Sequence, residues 1–158
     1  MQALTPEARS TVIAMLAAQN DLTLATIRPD GYPQATTVSF ANDGLTIYIG
    51  IGLDSQKAHN ICHSDKVSLA LTPPYEDWMH IRGLSMAGRA AIVVNGDEQM
   101  RASQLMVARY PQLKEMMSTP GPQPWSGNMA LLRITPEVIS LLDYSRGFGH
   151  TDLYRVLP

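Results

Sequence analysis

Two short turn signals constrain this chain more than any other feature. Pro29-Asp30-Gly31 and Asn42-Asp43-Gly44 separate three runs of β character, at residues 22–28, 34–40 and 45–51. Glycine after aspartate takes the positive φ that tight turns require. Strands joined so closely must pair antiparallel. In the first run Leu22, Leu24 and Thr26 alternate with Thr23, Ala25 and Ile27, which predicts a strand with modest burial on both faces. In the third run Ile47, Ile49 and Ile51 share one face, while Gly50 and Gly52 leave the other bare. A glycine inside a strand marks either a bend or a place where something approaches the backbone. Both readings stand: a bulge at Gly50, or a bound cofactor against it.

The chain then starts a helix. Asp54 or Ser55 can cap it, and it runs to about Ser64 with Ala58, Ile61 and Cys62 as the buried stripe. Lys57 falls in the first turn, where the helix dipole disfavours a cation. An anion held jointly by the lysine and the free N–H groups would explain it; a solvated surface lysine is the alternative. His59 and His63 stand four apart beside Cys62. They lack a third metal ligand and read as surface or partly buried residues, so no metal site is expected.

The rest of the chain extends the sheet. Thr5 caps and Pro6-Glu7 open an N-terminal helix whose Ala8, Val12, Met15 and Leu16 line one face. A short strand at residues 66–72 stops at Pro73-Pro74. Residues 79–94 form a long run in which Gly83 and Gly88 suit bulges. A helix is predicted over residues 97–110, ending before Pro111. Thr119 to Trp125, with three prolines at alternate positions, reads as an extended loop, with Trp125 as its anchor or as a lid over a site. Residues 129–134 and 138–144 are predicted strands, 146–152 a polar turn, and 153–157 a closing strand. Short hairpins, bending glycines and the strand number predict an antiparallel barrel with flanking helices. A βαβ rhythm and a GxGxxG motif are both lacking, which argues against a doubly wound nucleotide fold.

Composition bounds the function. The 158 residues fit one domain; hydrophobic content is 45% and charged content 16%, the balance of a globular protein. A net charge of −2 without a basic cluster argues against nucleic acid as a partner. No apolar run is long enough for a membrane span, and no secretory signal is visible. Cys62 is the single cysteine, which fits a cytoplasmic setting.

In this order GYPQATTVSF, LTIYIG, SQKAHNI and GLSMAGRAAIV resemble the FMN-binding split-barrel family typified by pyridoxamine 5′-phosphate oxidase. The resemblance runs from about Leu22 to Leu153. It implies a six-stranded antiparallel split β-barrel, normally a homodimer, with FMN at the interface. Carried over by position, Thr36, Thr37, Val38 and Ser39 would lie along the flavin, and Ile49 and Gly50 at its phosphate and ribityl end. Ser55, Gln56 and Lys57 match the family's Ser-Arg-Lys stretch, with Lys57 on the phosphate; Gly83 and Leu84 would reach the ring system.

The chain departs from the pattern at three places. Thr36 and Gln56 stand where the family enzyme has arginines, and Leu142 where it has a flavin-contacting tryptophan. The family's basic substrate-phosphate residues have no counterpart in residues 143–158. The expected function is therefore an FMN-dependent oxidoreductase acting on a small molecule other than pyridoxamine 5′-phosphate. Arg82, Arg89 or Arg146 could restore the lost positive charge, and Tyr144 and His150 are candidate acid–base groups. The alternatives are a flavin carrier or sensor, a haem-binding protein, and a deazaflavin-dependent reductase on the same barrel.

Overall fold

The computed structural model describes residues 1–121 and 124–157. Pro122 and Gln123, part of the expected extended loop, lie outside the described residues. The elements are β1 (Gln2–Ala3), α1 (Pro6–Ala17), β2 (Asp21–Ile27), β3 (Pro33–Ser39), β4 (Ala41–Asp43), β5 (Thr46–Gly52), α2 (Gln56–His63), β6 (Lys66–Leu71), β7 (Arg82–Ile92), α3 (Gly96–Arg109), α4 (Gln112–Ser118), β8 (Met129–Asp143) and β9 (Thr151–Arg155). Short 3-10 turns precede β7 and follow β8.

Six long strands run in the order β3-β2-β6-β7-β8-β5, every pair antiparallel. This is the expected barrel, enlarged by three short strands. The second turn does not pair the runs at 34–40 and 45–51: it joins β5 to the short β4, because the chain leaves the sheet between β3 and β4 and β3 pairs with β2. β1 pairs parallel with β9, so the sheet as a whole is mixed. The stretch read as two strands, 129–134 and 138–144, is one strand, β8. It survives Pro136 because the register slips there: Ala87 faces Val138 and Gly88 faces Pro136. A bulge needs no donor at that point, so proline is tolerated. The same bulge is where β8 changes partner, from β5 before it to β9 after it. Gly83 forms no bulge and pairs in regular register with Leu142.

α1 is capped by Thr5, whose hydroxyl oxygen accepts from the Ala8 amide at 3.2 Å. Ala8, Val12, Met15 and Leu16 bury against the barrel, as their spacing requires. β2 is more one-sided than expected: Leu22, Leu24 and Thr26 are buried, while Thr23 and Ile27 are exposed. The main core joins α1 to Leu24, Phe40, Ile47, Ile49 and Ile134 inside the barrel. A second, smaller cluster lies outside it, where Tyr48 and Leu131 meet Ala102 and Met106 of α3. No helix among the described residues is long and apolar enough to cross a membrane.

Candidate functional site

The barrel is split between β3 and β5. Among the described residues β3 has β2 as its only strand partner, and past Tyr48 the outer edge of β5 has none. These two edges approach one another. α2 starts at the end of β5. Its N-cap Ser55 accepts from the Ala58 amide at 3.2 Å and donates to the Gly52 carbonyl at 2.6 Å, which fixes the helix start to the strand end.

A polar chain then ties α2 to the barrel wall. The Gln56 amide donates to Asn60 Oδ1 at 2.8 Å; Asn60 Nδ2 donates to Thr26 Oγ1 and to Gln34 Oε1, both at 2.9 Å. Asn60 is fully buried, and these bonds meet the requirement that a buried amide be satisfied. Cys62, expected in the buried stripe, is exposed instead. The stripe is Ala58, Asn60 and Ile61, because the helix turns a polar chain toward β3 rather than a third apolar side chain.

Lys57 lies three residues before Asn60, on the same side of α2. It is half-buried, and burial pushes its pKa below the ordinary lysine value. It has no acidic partner among the described residues. On β3, Thr36 follows Gln34 on the same face, and its Oγ1 is buried without a hydrogen-bond partner. A desolvated lysine and a helix N-terminus thus stand at the end of β5, and an unpartnered hydroxyl lies on the facing edge strand β3. That donor set fits an anion such as a phosphate.

The split also borders a cavity of about 450 Å³, lined by Val38, Ser39, Gly50, Tyr110, Leu113 and Trp125. This is the size range of small-ligand sites. Its roof is held by the end of α3. Arg109 donates to the Gln19 and Phe40 carbonyls at 3.2 and 3.3 Å and to Asn42 Oδ1 at 3.0 Å, and its guanidinium lies 4.7 Å from the centre of the Phe40 ring. The Tyr110 hydroxyl accepts from the Phe40 amide at 2.9 Å, and burial raises its pKa. Gly50 is neither bulge nor bend; it pairs with Leu131 in regular register. Its bare side is covered by Trp125: a Cβ there would lie 2.3 Å from the indole Cζ3.

One chain therefore gathers Thr36, Val38, Ser39, Gly50, Ser55, Gln56 and Lys57 along the split. Thr37 and Ser39 are exposed, and the Ser39 hydroxyl donates to Asp21 at 2.7 Å. The Ile49 side chain is in the barrel core, so only its backbone faces the split. Gly83 and Leu84 are elsewhere. β6 and β2 stand between β7 and β3, and on the other side Gly83 pairs with Leu142, at the far end of β8 from the Gly50–Leu131 pair. Leu84 is core. Tyr144 and His150 lie at Gly83's end: Tyr144 packs with Trp78 and Phe148, and His150 Nε2 sits 3.3 Å from Asp152. The three candidate arginines do not replace the missing charges. Each is paired with carboxylates outside the start of α2: Arg82 with Asp143, Arg89 with Asp65 and Glu137, Arg146 with Asp152. His59 and His63 are exposed, and the described residues hold no cluster of metal-ligating side chains.

Sequence reasoning missed Gln34, Asn60 and the Arg109–Tyr110 latch. The only advance sign was an asparagine on the helix face where an apolar residue would serve.

No curated protein matches the chain. Among solved structures, the heme binding protein from Mycobacterium smegmatis superposes with a TM-score of 0.77 at 19% identity, covering 97% of this chain and 60% of that one. This chain thus spans less than two thirds of that protein's length. A conserved hypothetical protein from Mycobacterium tuberculosis gives 0.71 at 26% identity, with 87% and 85% covered. The heme storage protein HutZ from Vibrio cholerae gives 0.66 at 18% identity, with 86% and 92% covered. These likenesses concern the fold. The sequence pattern of the pyridoxamine 5′-phosphate oxidase family matches residues 8–143. With that match on this split barrel, the chain belongs to the pyridoxamine 5′-phosphate oxidase family.

Proposed function

We propose that this protein binds FMN in the split and works as a flavin-dependent oxidoreductase on a small molecule other than pyridoxamine 5′-phosphate. One observation carries the reading: Lys57, desolvated and without an acid partner among the described residues, at the start of α2. Lys57 and the α2 N–H groups would hold the phosphate. The Thr36 hydroxyl would take a phosphate or ribityl oxygen, and Val38, Ser39 and Gly50 would border the ring system. Bound FMN supplies the hydride-accepting chemistry, and the protein supplies position and electrostatics. Neutral Thr36 and Gln56, with Leu142 in place of an aromatic ring, argue for a different substrate from the family's namesake. Gly83 and the backbone of Leu84 would serve the same site from a second copy, since their own chain keeps them apart from Lys57; a homodimer with the cofactor at its interface is part of this proposal. The exposed, unpaired Cys62 suits a reducing cytoplasm.

The test is the visible spectrum of the purified protein together with an FMN titration. Flavin bands with one FMN per chain are expected, with a dimer in sedimentation. A colourless protein that takes up no FMN would overturn the reading. Haem binding is the second reading, because two of the similar structures are named for haem and His59 and His63 are exposed on α2. A Soret band on adding haemin, with no FMN uptake, would favour it.

A further inference from the structure

Trp125 carries three features that an anchor for a loop does not need. Its φ is +63°, a backbone conformation that a bulky residue rarely adopts. Its six-membered ring presses on Gly50, at a position where any side chain would collide with it. Its indole N–H is buried and has no acceptor among the described residues. Buried donors in native proteins are nearly always satisfied, so this one calls for a partner. Strain of this kind, held by surrounding structure, collects at ligand sites.

The surroundings narrow the partner. The residue lines the same cavity as Val38, Ser39 and Tyr110, and its own carbonyl is fastened by Gln99 Nε2 at 3.4 Å. The lining is largely apolar, with Met106, Leu113 and Met129 beside the Trp125 and Tyr110 rings. Such a lining suits a ligand with an apolar, ring-like body, and the unpartnered donor asks for an acceptor on it.

We propose that Trp125 is a ligand-binding and specificity residue, its indole N–H donating to a carbonyl or ring nitrogen of a planar heteroaromatic ligand. The identification of that ligand as FMN rests on the function proposed above. Gly50 is glycine because the indole must reach over β5 to present the donor. Selection follows from the chemistry: a ring whose edge carries only hydrocarbon leaves the N–H unsatisfied and binds more weakly.

Trp125 and Trp78 are the only tryptophans, and Trp78 is exposed in a separate aromatic cluster. In Trp78→Phe protein, emission therefore reports Trp125 alone. FMN should quench that emission at the stoichiometry of binding. Trp125→Phe, which keeps a ring and removes the donor, should weaken FMN about tenfold with its thermal melt unchanged. The inference falls if FMN binds yet leaves the Trp125 emission unmoved, or if Trp125→Phe binds FMN as well as or better than the parent, which would make the indole a filler or a plug. Quenching reports proximity only, so the arm that needs no change at Trp125 is the indole 15N–H resonance of the Trp78→Phe protein: a clear downfield shift on adding FMN supports the donation, and an unmoved resonance with FMN bound overturns it. Weaker binding in Lys57→Ala with no change in Trp125→Phe would leave the FMN reading standing and this one refuted; no FMN uptake by the parent protein would refute both.

Discussion

Gly50 and Gly88 look alike in sequence, each a glycine inside a long β run, yet they do opposite jobs. At Gly88 a Cβ would lie 2.2 Å from the Thr135 carbonyl oxygen, so backbone meets backbone at the β7–β8 bulge. At Gly50 the obstacle is the Trp125 side chain on a loop. Backbone in a paired sheet cannot retreat; an indole on a loop can. Gly88 belongs to the architecture, because β8 changes partner there. Gly50 belongs to the site, where a side chain occupies ground next to a cavity. Two equally tight approaches thus differ in consequence, and the difference lies in what is approached.

The comparison is open to measurement. Gly88→Ala should cost about 3 kcal/mol in urea unfolding, because strand backbone must shift; a loss under about 1 kcal/mol would show the bulge to be pliable. Lys57→Ala should leave the unfolding midpoint nearly unchanged and weaken FMN some ten- to a hundredfold, the worth of a charge-assisted bond of about 1.5–3 kcal/mol. Riboflavin, which lacks the phosphate, should bind this variant and the parent alike. An equal loss for both ligands would move the phosphate away from Lys57. Gly50→Ala should destabilise by about 1 kcal/mol and shift the Trp125 emission to the red as the indole is pushed outward; an unshifted spectrum with a large stability loss would make Gly50 a second Gly88.

The smallest effect concerns pH. Burial lowers the Lys57 pKa in the free protein, and a bound phosphate would raise it again. Binding then takes up a proton between those two values. FMN affinity should therefore fall as pH rises through that window, which begins below the ordinary lysine pKa of about 10.4, by at most about tenfold per pH unit. A flat FMN profile parallel to that of riboflavin would exclude the lysine from the phosphate site.

The barrel was legible because its signals are local and periodic. Ile47, Ile49 and Ile51 announce a buried strand face, and Thr5 and Ser55 announce helix starts that their side chains do cap. α4 was missed, since Gln112–Ser118 has no capping side chain at its N-terminus and no buried residues. In the candidate site, Ser55 and Lys57 were readable from the strand-to-helix passage and the resemblance. Asn60 was not, because whether a helix residue faces solvent or a neighbouring strand depends on where that strand is. The sequence leaves Trp125 between anchor and lid, because a loop tryptophan acquires a role only from what lies beneath it.

Sequence alone determined most strand segments, the β2–β3 hairpin and the starts of α1, α2 and α3, because turn chemistry, alternation and capping act over a few residues. Only the tertiary structure decided that β8 switches partner at Gly88, that Asn60 joins α2 to β3, and that Trp125 lies on Gly50 with its N–H unanswered. Those contacts join residues far apart in the chain, and no local preference specifies a distant neighbour.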